Sequence, residues 1–357
     1  MNTAKALVCL GPQAAERFAN RTLPRRTVKA GEIEVAVAAA AVNPIDARRA
    51  EGYGARLLKL KQAGSFPLVL GNDFAGTVSA VGAGVSNFAV GDRVYGVKPA
   101  SCAGTHASHV RVKARHALPA PSGRDFQALA ALPYSFITMW LALKGAGLSA
   151  DSARDKAVLV HGASGGLGLL ALQLLAQWGA RVTAIGRPAT AAACLAAGAS
   201  EVFDATHTPL ATLAARFDAT LNFASWDDDL TLVRCLREGA LGHATSVHPL
   251  LGNLDRLGWV RGAMACLADK RRHAAALPAG TKRYAWTLFN PDPQALAELR
   301  WQTENGLVQL PIGCAVPLNQ AEAAFAHIRE KKPGRALLLP GTEPSSSENT
   351  NWTHDPC

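Results

Sequence analysis

Val158-Leu159-Val160-His161-Gly162-Ala163-Ser164-Gly165-Gly166-Leu167-Gly168 is the stretch on which the fold turns. Its apolar start reads as a buried strand and its glycines as a tight turn. The apolar pattern from Leu169 to Trp178 reads as a helix that Gly179 can stop. Strand, turn and helix in that order are the context a dinucleotide fingerprint requires. Read as G-x-G-x-x-G, the stretch has Ala163 in the first glycine's place, then Gly165 and Gly168. Gly165 lets a pyrophosphate approach the backbone, and Gly168 lets the helix pack closely on the strand. The helix start, with Ser164, Gly166 and Leu167 around it, offers N–H groups and a partial positive charge to phosphates. The plain alternative is a glycine-rich turn that holds no ligand.

Working outward, Arg181–Ile185 reads as a second strand and Ala189–Ala197 as a helix closed by Gly198. Further strands are expected at 219–223, 244–247 and 284–289. Strands alternating with helices predict βαβ units and a doubly wound parallel sheet, an α/β fold. Asn222, at the end of one such strand, is a candidate for cofactor binding. An NAD-binding fold places an acid about 20 residues past the turn, to hold the ribose 2′-hydroxyl. Here Gly186-Arg187 stands there, 19 residues beyond Gly168, and no Asp or Glu occurs between Gly179 and Ala199. A guanidinium meets a 2′-phosphate with two hydrogen bonds, so the expected cofactor is NADPH. The bland reading of Arg187 is a solvated surface residue.

The first 125 or so residues have a different character. Glu32–Val37 alternates with period two, Gly71–Gly82 is a strand bracketed by glycines, and Gly91–Gly96 is a turn feeding a strand. Short strands with frequent glycines suggest a small barrel-like β domain. The β-rich style returns from about residue 305, with an extended 308–318, a helical 320–330 and a closing strand at 335–339. The expected division is 1–126 with 291–340 as the β-rich domain, 127–290 as the nucleotide-binding domain, and 341–357 as a polar, disordered tail.

The totals set outer bounds. A chain of 357 residues fits two domains, and 49% hydrophobic with 18% charged residues describes an ordinary globular protein. No uninterrupted apolar run of membrane-spanning length is seen, and no signal or transit segment precedes the first strand. The expectation is therefore a cytoplasmic, bacterial protein with no membrane partner. The net charge of +10 is scattered and forms no Lys/Arg run, which speaks against nucleic acid as a main partner. The seven cysteines are odd in number and widely spaced. That argues against a disulfide framework and a cysteine zinc site, and for small buried apolar residues in a reducing compartment.

Several motifs together resemble the medium-chain dehydrogenase/reductase superfamily: Gly71-Asn72-Asp73-Phe74-Ala75-Gly76, Gly82-x-Gly84-Val85, Gly91-Asp92-Arg93-Val94 and the turn downstream. The resemblance covers roughly residues 5 to 340. Asn43-Pro44-Ile45-Asp46 and Leu132-Pro133 are similar to its quinone oxidoreductase branch. Gly52-Tyr53-Gly54, Ser65-Phe66-Pro67-Leu68 and Leu254-Asp255-Arg256-Leu257-Gly258 are similar to the reticulon-4-interacting NADPH oxidoreductases and their bacterial relatives. The resemblance implies a GroES-like catalytic domain beside the Rossmann domain, an active site in the cleft between them, and a homodimer. The apolar 284–289 run would be an edge strand pairing with its mate.

Departures count too. Zinc-dependent members carry Cys where Asn43 falls and Gly-His-Glu where Gly71-Asn72-Asp73 falls, and only Cys102 lies in the region of their structural zinc lobe. A tetrahedral zinc cannot be assembled from what remains, so no metal is expected. The resemblance then implies hydride transfer from NADPH to a quinone or α,β-unsaturated carbonyl. Tyr53 is the candidate proton donor, against a loop aromatic packing over the cleft. Asn43 and Asp46 shape the pocket, against simple turn caps. Thr138 faces the nicotinamide, against back-bonding to its own helix. Arg335 is a further candidate for cofactor binding. His161 reads as structural, and Asp227-Asp228-Asp229 as a helix cap and solvated face. Two other functions stay open: an NADPH-binding protein with a partner- or RNA-binding role, as in crystallin-like relatives, and zinc-free alcohol dehydrogenation.

Overall fold

The computed structural model describes residues 3–60, 63–100 and 102–341; the expected disordered tail lies, apart from Gly341, outside them. The strands in the first part of the chain are β1 Thr3–Cys9, β2 Phe18–Pro24, β3 Glu32–Val42, β4 Leu68–Val69, β5 Asp73–Val81, β6 Arg93–Val97, β7 His109–Lys113 and β8 Ala117–Pro119. Then come β9 Ala157–His161, β10 Arg181–Gly186, β11 Glu201–Asp204, β12 Ala219–Asn222, β13 Gly242–Thr245 and β14 Arg283–Trp286. β15 Ile312–Pro317 and β16 Arg335–Leu339 close the series. The chain divides into two compact units. One takes the described residues up to Tyr134, Pro291–Glu304 and those from Leu310 on; the other takes Ser135–Asn290 and Asn305–Gln309.

In the first unit, β3 is the organising strand. Eleven residues long, it pairs antiparallel with β5 along one side, with β7 over Glu32–Ala36 and with β16 over Ala40–Val42. The sheet runs β15-β16-β3-β5-β6-β8, and a second, three-stranded sheet runs β2-β1-β4. Period-two alternation sends Ile33, Val35 and Val37 into a core with Phe74, Val78, Val94, Val110 and Val112. A second core gathers Ala321, Ala324 and Phe325 of helix Ala321–Arg329 against Leu7, Ala47, Ala50 and Leu338.

In the second unit all six strands are parallel, in the order β11-β10-β9-β12-β13-β14. Strands covered on both faces read as continuous apolar runs, and Val158, Leu159 and Val160 are fully buried. Sequence order reverses direction between β9 and β12, and ligands of such sheets bind beyond the carboxyl ends at that point. His161 and Asn222 end those two strands. β14 closes the sheet on one side and ends at Trp286, so the expected strand to 289 is shorter by three residues. Leu250–Ala275 is a long helix kinked at Gly258, whose backbone lies at φ 80° and ψ −178°.

Two expectations need correcting. Segment Phe126–Gly145 is long and apolar enough to cross a membrane, though most of it is buried inside the protein, as in a core helix. Cys9, Cys194, Cys235 and Cys266 are buried free thiols and Cys314 is a half-buried one, whereas Cys102 is disulfide-bonded, against the reading of all seven as thiols.

Candidate active site

The glycine-rich turn after β9 forms as its glycines require. Gly162, directly after β9, has φ +80°, and a Cβ there would come within 3.0 Å of the Phe223 backbone. Helix Gly166–Gln177 starts behind Gly165, and a Cβ on Gly168 would strike Gly162 O at 2.4 Å and Ala163 Cα at 2.5 Å. Gly168 is therefore where helix and strand touch. At Gly165, which is exposed, a Cβ would meet only Gly162 O at 3.4 Å, so the space around it is left open by the protein. Ala163 turns its methyl into the core and has only backbone to offer a ligand. Ser164, Gly166 and Leu167 are half-buried at the helix start.

Beside this turn, β10 ends at Gly186 and the exposed Arg187 follows. Ser164 Oγ and Thr190 Oγ1 both lie near Gly186, within 3.6–3.7 Å of where its Cβ would be. Thr190 donates through Oγ1 and N to Arg187 O, at 2.8 and 2.9 Å, which fixes the short turn that carries Arg187. An exposed guanidinium, two hydroxyls and a helix start thus share one end of the parallel sheet.

Asn222 lies on the other side of the turn and is fully buried. Its Oδ1 accepts from Ala224 N at 3.1 Å, while Nδ2 donates to Ser225 O and Asp229 Oδ1, both at 2.7 Å. The amide shapes the 223–225 loop that packs on Gly162, so it positions the turn from below. Asp229 also meets His243 Nε2 at 3.0 Å and His273 Nε2 at 3.5 Å. Burial pushes its carboxyl up, but the neighbouring His243 and Asn222 hold it below its ordinary value. Asp228 meets His161 Nε2 at 3.0 Å. In the Asp227-Asp228-Asp229 run, Asp227 is exposed and Asp228 stands half exposed at the N-cap of helix Asp229–Arg234, as expected, but Asp229 is buried; its and Asp228's bonds to buried histidines are not revealed by chain spacing alone. Thr138 is buried on helix Pro133–Gly145.

In the first unit the structure brings Asn43, Asp46 and Arg335 together. Asn43 precedes helix Pro44–Ala50, and its backbone N donates to Asp46 Oδ2 at 2.8 Å, half of a capping box. Asp46 Oδ1 accepts from Gly71 N at 3.0 Å. The Asn43 side chain accepts from Arg335 Nη2 at 2.6 Å and donates to Asp73 Oδ2 at 2.8 Å. Tyr134 N donates to the other Asp73 oxygen. All four side chains are buried. Asp73, quoted in the sequence only as part of a motif, is the member that sequence reading missed. Burial pushes its carboxyl up to about 7, against the pull of Arg335. Arg335 therefore sits in a buried network with no open face, and Asn43 and Asp46 have their polar atoms turned inward as well.

Tyr53 stands apart from that network. It lies half-buried between Gly52 and Gly54, at φ +89° and +79°, with the Arg48 guanidinium carbon 3.5 Å above its ring centroid. Such a cation–π contact holds the ring in place. The zinc-ligand positions Asn43, Asn72 and Asp73 are all buried, and the Asn72 amide donates to Lys98 O at 2.9 Å. Among the described residues no three His, Cys, Asp or Glu side chains gather as metal ligands do.

Comparison with known proteins puts this geometry in a lineage. Residues 29–122 match the alcohol dehydrogenase GroES-like domain. The chain is similar to the mitochondrial NAD(P)H oxidoreductase RTN4IP1 of Mus musculus, 30% identical over 320 residues that cover 83% of this chain and 78% of that protein. Among solved structures it resembles the quinone oxidoreductase from Coxiella burnetii, with TM-score 0.77, 22% identity and coverage of 95% and 99%. It also resembles the CurK enoyl reductase, with TM-score 0.75, 22% identity and coverage of 94% and 99%. A GroES-like domain joined to a parallel nucleotide-binding sheet defines a medium-chain dehydrogenase/reductase. Within that class the chain belongs to the family of the NAD(P)H oxidoreductase RTN4IP1. The expected cytoplasmic, bacterial location is overturned, because the mouse relative, matched over most of both chains, is a mitochondrial protein.

Proposed function

We propose that the protein is an NADPH-dependent oxidoreductase that reduces a quinone or an α,β-unsaturated carbonyl without zinc. The observation that carries this reading is the open backbone at Gly165, at a helix start, beside the exposed Arg187. The pyrophosphate would rest on the N–H groups after Gly165, and the 2′-phosphate would meet Arg187. NADPH supplies the hydride, and the protein supplies orientation and charge. Tyr53 is the proposed donor to the acceptor's developing charge, its ring held by Arg48. Thr138, on the first helix of the nucleotide-binding unit, is the proposed neighbour of the nicotinamide. Where zinc enzymes use a thiolate, this chain has an amide engaged by Arg335 and Asp73, which supports a reaction without the metal.

NADPH oxidation by the purified protein, followed against phenanthrenequinone and a panel of enones, tests the proposal. Steady turnover that NADH does not support is expected. Failure of calorimetry to detect either nicotinamide dinucleotide would reject it. The proposal includes a homodimer formed through the outer edge of β14, and gel filtration at monomer mass across micromolar concentrations would reject that part.

A further inference from the structure

Helix Leu250–Ala275 carries an apolar face turned to solvent. Past the kink at Gly258 its buried residues are Gly262, Cys266 and His273, which fixes the inward side of that part. At 100° per residue the opposite side falls on Val260, Met264 and Leu267, flanked by Ala263 and Ala268. These three are 73%, 66% and 49% exposed, and Trp259 beside them is 41% exposed. Isolated exposed apolar residues are ordinary, but a contiguous cluster marks an interaction site. The cluster has a charged border of a single sign. Past the kink at Gly258, Arg261, Arg271 and Arg272 are exposed, Arg271 on the apolar side itself, while Lys270 lies over the Trp286 ring; the acids, Asp255 and Asp269, are only half exposed. Asp269 faces inward toward Asn253, at 3.4 Å.

We infer that this face docks on an anionic lipid surface. An apolar stripe bordered by arginines on one helix is what an interfacial helix presents to acidic headgroups. A second copy fits less well, because a two-fold contact would bring the two arginine borders together. The chain's net charge of +10 adds long-range attraction to an anionic surface. Such docking departs from the expectation of no membrane partner, which rested on the lack of a spanning run and left out a helix lying on a surface.

The test is co-sedimentation of the full chain with vesicles of phosphatidylcholine alone, or of phosphatidylcholine mixed with phosphatidylglycerol. Binding to the mixed vesicles, and loss of it at high salt, is expected. The double substitution Val260→Asp and Met264→Asp should weaken partitioning at least about tenfold. Both side chains already face water, so the thermal midpoint and NADPH affinity should stay as in the parent and report an intact fold. Absence of the parent from both kinds of vesicle would overturn the inference, as would equal partitioning of the double variant. So would a gel-filtration dimer that the double variant splits, which would give the face to a second copy. None of these readouts depends on the reductase reaction.

Discussion

At the scale of single residues, three side chains carry distinct burdens. Arg187 is the one exposed charge at the end of β10 that selects the phosphorylated ribose in the proposed site. Arg187→Ala should weaken NADPH binding at least about tenfold, as loss of a charge-assisted hydrogen bond does, and leave NADH binding unchanged. Isothermal titration with both nucleotides decides it. Tyr53→Phe should lower enone turnover by at least about tenfold with NADPH affinity intact; equal turnover would remove the hydroxyl from the reaction. Asp73 acts through pH. Its folded value, about 7, lies above the ordinary 3.8, so the folded state holds the proton more tightly. Its contribution to stability therefore falls as pH rises from 3.8 to about 7. Asp73→Asn should flatten that part of the thermal-midpoint profile.

Between elements, two glycines of the proposed phosphate turn should separate folding from binding. Gly168→Ala must push a methyl into backbone atoms at 2.4 and 2.5 Å, so it should destabilise the nucleotide-binding unit by about 1–3 kcal/mol. Gly165→Ala meets nothing closer than 3.4 Å and should leave the thermal midpoint unchanged while weakening NADPH at least about tenfold. Thermal melts and calorimetry on the pair would show whether the open space is kept for a ligand. This part of the fold is legible in the sequence because strand, turn and helix follow one another within twenty residues. The apolar run of β9 and the Arg335–Leu339 strand are legible for the same local reason. Helix Leu250–Ala275 is not, since its apolar residues point outward and Gly258 breaks its periodicity. Nor is the role of Asn43, whose amide is satisfied by a guanidinium 292 positions away. Residue identity pointed to Asn43, Asp46 and Arg335, but only tertiary structure shows them buried as one network with Asp73.

For the molecule as a whole, charge and chain path matter most. A net charge of +10 should draw a multiply anionic cofactor, so the NADPH association rate should fall as salt is raised from low to physiological strength, with a smaller change in dissociation. Stopped-flow mixing across a salt series measures both. Composition alone marks two kinds of segment, but contact places the first change of unit at Tyr134/Ser135, beyond the change in character near 126.

The path of the chain also constrains its birth on the ribosome. β3, central to the first unit, is flanked along Ala40–Val42 by β16, whose residues Ala336–Leu338 follow the whole parallel sheet in chain order. The unit encoded first must therefore wait with a bare strand flank, while the parallel sheet encoded after it already has every one of its own strands. The second unit is thus able to assemble ahead of the first, and a nascent chain stalled before residue 335 would expose that flank to chaperones or to misplaced pairing.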